Sequence, residues 1–212
     1  VREATRRGRR LRFDGWIAGA GTASGTRLVV GHWPRSPWGP FADVMVEHPD
    51  GYRELLAPTP RVADFVAATY TFDAVTHCPV TVEPAPAAWR VTAGPLRLSF
   101  TPGRRDLLGQ VLRAVPRRVA VEPAWAAVCD LPARWLMSGV RTRGSAGGGR
   151  REWYAALDHH LITAVDATWD GTDLGPLRAV DPPVRFGFGS VPRAPSLTRV
   201  VSTVELPPAP PV

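Results

Sequence analysis

Lysine is missing from this chain of 212 residues, and each of its 26 strongly basic side chains is arginine. Any mechanism that needs a side-chain amine is therefore closed: no imine on lysine, no Walker A phosphate loop, no pyridoxal phosphate held in the usual way. Cysteine is nearly missing too. Cys78 and Cys129 stand far apart and outside any Cys-x-x-Cys pair, so nothing marks a disulfide framework or a zinc ribbon, and a reducing compartment is expected. No apolar run approaches the roughly 18 residues of a membrane span. The arginine-rich start (Arg6, Arg7, Arg9, Arg10) is not followed by the apolar stretch of an export signal, and a soluble cytoplasmic protein is the expectation. With no Gly-x-Ser-x-Gly elbow and no His-x-x-x-His pair, serine hydrolase and zincin readings lack local support.

What is present is a globular composition, 44% hydrophobic and 21% charged, with 23 Pro and 20 Gly punctuating many short apolar runs. That mixture favours strands and turns over long helices. Paired strands are expected at Leu11–Ala18 with Thr26–Trp33, and at Phe41–His48 with Tyr52–Ala57 across the turn Pro49-Asp50-Gly51. Pro60 opens a short helix carrying Val62, Phe65 and Val66. Strands follow in Phe72–Val82, Trp89–Ala93 and Leu96–Thr101. Helices are expected at Arg105–Val115, whose Leu107, Leu108, Val111 and Leu112 share one side, and within Val119–Met137. Trp153–Trp169, Pro183–Phe188 and Leu197–Leu206 read as returning strands. Strands, then helices, then strands predict an α+β fold: a strongly curved antiparallel sheet or β-barrel-like core with a few helices in the central segment. Residues 1–10 form a basic arm expected to be disordered, 11–206 a single β-rich domain, and 207–212 a Pro-rich tail.

The net charge of +7 is unevenly placed. Residues 1–12 hold six Arg against Glu3, and residues 104–151 hold ten against Asp106, Glu122 and Asp130. The arginines and glycines of 141–151 are the most distinctive local run. Glycine backbone amides converge into anion nests, and guanidinium forks bind carboxylate or phosphate, so Arg143, Arg150 and Arg151 are candidate ligands for a small anionic organic molecule. A solvated loop tip is the plainer alternative. Gly19–Gly25 has the spacing of a nucleotide loop, but a strand-like run follows where a helix is required, so a hairpin loop is expected. His159 and His160 are adjacent, point to opposite faces of a strand and are not expected to share a metal; no metal or cofactor is expected.

Asp43 and Glu47 share one strand face, and Glu54 lies on the neighbouring strand. Carboxylates turned inward raise one another's pKa values and serve as general acid and base; turned outward they are ordinary surface charges. Trp38, in the rigid segment between Trp33 and Phe41, forms either the mouth of a pocket or the plug of a barrel end. A closed interior lined by Asp43, Glu54 and an arginine points to an enzyme, whereas a filled apolar interior points to a scaffold.

Ser36-Pro37-Trp38-Gly39-Pro40-Phe41-Ala42-Asp43, Gly51-Tyr52-Arg53-Glu54-Leu55, Arg151-Glu152-Trp153-Tyr154 and Ala167-Thr168-Trp169 together resemble the acetoacetate decarboxylase-like superfamily. The resemblance implies a cone-shaped antiparallel barrel around a small-molecule pocket, often in a homo-oligomer, with Glu54 similar to an active-site glutamate. The superfamily's decarboxylases form an imine on lysine, and this chain has none. Two functions therefore stand. One is a pocket for a small anionic organic molecule, in a non-decarboxylating enzyme or a binding protein, with Glu54 or Asp43 as base and Arg53 or Arg151 as carboxylate clamp. The other is an interaction protein docking on an acidic partner or nucleic acid through its arginine-rich segments; no zinc-finger, helix-turn-helix or single-strand stacking signature supports specific nucleic-acid recognition.

Overall fold

Alternating apolar and polar residues separated by tight turns build antiparallel hairpins, because successive strand side chains point to opposite faces. The computed structural model describes residues 9–122, 143–145, 147–187 and 191–207. Among these, β1 (Arg10–Thr22), β2 (Arg27–Arg35), β3 (Phe41–Glu47) and β4 (Arg53–Ala57) form a meander. Helix α1 (Pro60–Ala67) follows, started by Pro60 and by the Thr59 hydroxyl, which accepts from the Val62 amide at 3.3 Å. Then come β5 (Ala74–His77), β6 (Val80–Glu83), β7 (Trp89–Ala93) and β8 (Leu96–Arg105). Helix α2 (Leu107–Ala114) is capped by Asp106, whose carboxylate accepts from the Gly109 amide at 2.8 Å, and the short α3 (Arg117–Ala120) follows. The chain returns through β9 (Arg143–Ser145), the 19-residue β10 (Arg151–Trp169), β11 (Thr172–Asp173), β12 (Leu177–Arg178) and β13 (Ser196–Glu205).

The sheet runs in the order β5-β4-β3-β2-β1-β13-β10-β8-β7-β6, and among the described strands only β4 and β5 pair in parallel. It curls until β6 comes back against β3, giving a half-barrel. Its two edge strands, β5 and β6, are joined by just Cys78 and Pro79. The α+β, curved-sheet expectation holds.

Two faces result. On the barrel face, Leu28, Val30, Val44, Val46 and Leu56 meet Trp89, Val91, Leu96, Leu98 and Phe100 in a filled apolar core. On the helix face, Leu55 and Ala57 pack under Val62, Ala63 and Val66 of α1, and Val29 under Val180, Val184 and Phe186. Phe13, Trp33, Trp38, Phe41 and Phe65 close one end of that layer.

Bulges set which residue faces which layer. Between Asp14↔Arg35 and Trp16↔His32, β2 carries one residue more than β1; between Ala156↔Val200 and Asp158↔Arg199, β10 carries one more than β13. Gly15 sits in the first bulge, where a Cβ would lie 2.0 Å from the His32 carbonyl oxygen.

One expected strand is corrected. Residues 183–187 are not in a strand, because Pro182 and Pro183 remove ladder donors and the Arg185 amide donates instead to Glu47 Oε2 at 2.7 Å. The expected helix in Val119–Met137 lies outside the described residues from position 123 onward, as do residues 1–8 of the arm and 208–212 of the tail.

Gly15→Ala is predicted to destabilise the fold by at least about 1–3 kcal/mol, since the methyl meets backbone that cannot swing aside. Urea unfolding measures it; an unchanged midpoint would remove the bulge from the forces shaping β1.

Candidate functional site

The helix face is largely apolar, and besides the Glu47–Arg27–Arg185 ion pairs it holds one buried polar cluster. Asp43 projects from the centre of β3 and is 2% exposed. Its Oδ1 accepts from Trp33 Nε1 at 3.0 Å, across a gap left by Gly31, where a Cβ would stand 2.6 Å from both atoms. Glu152, also buried, comes from β10 and accepts from Ser202 of β13 at 2.8 Å. The Tyr70 hydroxyl, just past α1, donates to the same carboxylate at 2.9 and 3.1 Å and is hydrogen-bonded to the Tyr154 hydroxyl. Tyr154 lies close enough to Asp43 for that carboxylate to perturb it. Five polar side chains from β3, β10, β13 and the segment after α1 thus meet in one layer, with Trp33 as a sixth member.

Burial dominates the electrostatics. Desolvation pushes the Asp43 carboxyl up to about 7, against the pull of the Trp33 hydrogen bond. It also raises Glu152, although Ser202, Tyr70 and Tyr154 oppose the rise with hydrogen bonds. Both tyrosines are held well above their ordinary value by burial and by the Glu152 charge. An acid that changes state near neutrality offers a proton acceptor above its midpoint and an O–H below it, beside phenols that keep their protons within their bonds to Glu152 and to each other. A cleft of about 480 Å³ opens between the end of α1 and the Gly147–Gly148 turn, with Tyr70, Phe72 and Phe186 in its wall, so Tyr70 connects the cluster to the surface.

The residues singled out in the sequence are dispersed. Asp43 is in the cluster, but Glu54 is on the opposite face: it pairs in register with Val46 and accepts from Thr76 Oγ1 at 2.5 Å, with His48 Nε2 at 3.7 Å. The two carboxylates do not meet, and the barrel interior expected to hold them is filled by apolar side chains, as in a scaffold, which leaves the helix face as the place for a site. Glu47 shares the face of Asp43, yet Arg27 at 3.1 Å and Arg185 at 2.8 Å neutralise it. Arg53 is engaged by Asp73, which it holds down at about 2. Arg150 donates to the Phe65 carbonyl at 2.8 Å and to Thr69 Oγ1 at 2.6 Å, pinning its loop to α1. Arg151 is exposed, 5.9 Å over the Trp153 ring. Trp38 stacks on Phe41 and meets Phe13 and Phe65 edge-on, as the end plug. The side chain of Arg143 lies outside the described residues. His159 and His160 turn to different partners, Asp106 and the Gly103 carbonyl.

Tyr70, Glu152, Tyr154 and Ser202 were not anticipated from the sequence. Glu152 and Tyr154 carried a usable signal, an acid and a phenol two residues apart on one strand face; Tyr70 carried none, because only the return of the chain over β10 brings it there.

Asp43 supplies a pH prediction. Its folded pKa is raised above the unfolded value, so between about pH 4 and pH 7 the native state binds the extra proton and stability falls as pH rises, by about 3–4 kcal/mol in all. Asp43→Asn is predicted to flatten that slope and to exceed the parent in stability at about pH 8. Chemical denaturation across this window checks it, and identical slopes for parent and variant would refute the burial of an ionisable Asp43.

No protein family matches this sequence, and no curated protein sequence does either. Solved structures show a weak likeness. Acetoacetate decarboxylase of Legionella pneumophila is 9% identical with a TM-score of 0.46, over 94% of this chain and 86% of that one. An AttH-like protein of Nitrosomonas europaea is 15% identical with a TM-score of 0.30, over 89% of this chain and 38% of the other. No helix among the described residues is long and apolar enough to cross a membrane.

Proposed function

We propose that the protein binds a small organic molecule carrying an anionic or carbonyl oxygen at the Asp43–Glu152–Tyr70–Tyr154 cluster, reached from the cleft over Tyr70. The observation that carries this reading is the convergence of these buried groups with no cationic partner for Asp43 or Glu152 among the described residues, an arrangement whose burial is costly. Below its midpoint the Asp43 carboxyl is neutral and offers an O–H to a ligand oxygen, while the two phenol protons are held within the Tyr70–Tyr154–Glu152 network. Above it the carboxylate takes a proton. This is the equipment of a general acid–base site, and it works without the lysine imine that the chain lacks.

Ligand-observed NMR with acetate, pyruvate and malonate tests the proposal. At least one probe is predicted to bind, and Asp43→Asn and Tyr70→Phe to weaken it about tenfold each, the loss of one hydrogen bond to a charged group. Binding that neither substitution alters, or no binding by any probe, would remove the site from function. If a bound probe is also turned over, its rate is predicted to rise with pH through about 7 in the parent and to lose that dependence in Asp43→Asn.

A further inference from the structure

The barrel face carries a second polar assembly of opposite sign. Asp14 of β1, 7% exposed, receives Arg35 Nε and Nη2 at 3.2 and 2.8 Å, together with Arg117 of α3 and Arg199 of β13. Three guanidinium groups share one carboxylate, an excess of two positive charges. Directly across the strand pair from Arg199 lies Asp158, which serves Arg105 at 2.6 and 2.8 Å and Arg113 at 3.8 Å. Five arginines thus face two aspartates, and no other carboxylate among the described residues pairs with any of the five.

The surroundings deepen the imbalance. Arg199 lies 5.6 Å over the Trp16 ring and donates to the Gly15 carbonyl, which fixes it in place. Burial and the Arg199 charge both push His32 below its ordinary value, so this ring adds no charge of its own. Asp14 stays ionised although burial opposes it, because Arg35, Arg199 and Arg117 outweigh that cost. The heads of Arg35, Arg113 and Arg117 are each more than half exposed, with donors to spare beyond the shared carboxylates. Like charges crowded around too few carboxylates attract a counter-anion, and guanidinium forks match oxyanions bidentately.

We propose that this arginine assembly is a second ligand site, separate from the Asp43 cluster, that takes a small multivalent oxyanion: a polycarboxylate or a phosphate group held between Arg35, Arg117 and Arg113. The proposal is independent of the function assigned to the helix face. The arginines that do this are not the glycine-loop arginines; they come from β2, α2 and α3 and converge only in the fold.

Isothermal titration of the whole protein with citrate and with inorganic phosphate is the test, and the stronger of the two identifies carboxylate or phosphate as the preferred chemistry. At least one is predicted to bind at millimolar concentration, about tenfold more weakly in Arg35→Gln/Arg117→Gln and with unchanged affinity in Asp43→Asn. Asp14→Asn, if folded by circular dichroism, is predicted to bind the anion more tightly, since one competing carboxylate is gone. A structural cluster would show stability changes without that gain. Equal affinity in the parent and the double arginine variant would overturn the proposal, as would no binding by either probe. An oligonucleotide that binds the parent tightly where citrate and phosphate do not would overturn it in favour of a macromolecular polyanion.

Discussion

A single extra residue in β10 decides where the chemistry of this protein lies. A regular strand would set Glu152, Tyr154, Asp158, His160 and Ile162 on one face, since all are separated by even steps. The register shift between Ala156 and Asp158 divides them. Glu152 and Tyr154 turn to the helix face and meet Tyr70, while Asp158, His160 and Ile162 turn to the barrel face, beside Arg105 and the apolar core. The bulge in β2 does the same for its neighbours: Trp33 reaches Asp43 on one side, and His32 and Arg35 reach Trp89 and Asp14 on the other. Both assemblies depend on these two insertions. Pro34, which has no amide proton to lose, falls in the second of them.

Three buried carboxylates show how far environment separates identical chemistry. Glu47 and Asp43 lie four residues apart on the same face of β3. Glu47 has two arginines and the Arg185 amide. Asp43 has one indole N–H among the described hydrogen bonds and is raised to about 7. Asp14, on the other face, has three arginines and is lowered. A carboxylate desolvated with cationic partners is a fastener; one desolvated without them is left able to exchange a proton near neutrality. That contrast, rather than the number of acids, distinguishes the helix-face cluster from the ion pairs around it.

Much of the fold was legible. The β1–β2 and β3–β4 hairpins follow from alternation and from turn residues, α1 from Pro60 and its periodic Val62 and Val66, and α2 from its apolar stripe. Period-two counting placed Asp43 with Glu47 correctly and Glu54 on the neighbouring strand, but the register that opposes Glu54 to Val46 and so separates it from Asp43 was not legible. The site was far less legible. A bulge inverts the side chains that follow it without leaving a compositional mark, so nothing in Arg151–Trp169 announced that Asp158, His160 and Ile162 leave the face of Glu152 and Tyr154, or that a further shift between Ile162 and Ala164 follows. Long-range partners were hidden as well: Arg117 reaches Asp14 across 103 positions and Tyr70 reaches Glu152 across 82. The arginines that stood out as a run, Arg150 and Arg151, hold a loop and cover an indole.

The link between the edge strands has a mechanical meaning. β5 and β6 terminate opposite ends of the sheet path, yet three Cα steps through Cys78 and Pro79 join them, a tether of at most about 11 Å. The half-barrel is therefore stitched along its open seam by covalent bonds where a closed barrel would use a ladder of hydrogen bonds. Breathing that parts the two edges at this end stops at the length of the tether, which keeps Val46 and Val91 within one apolar core.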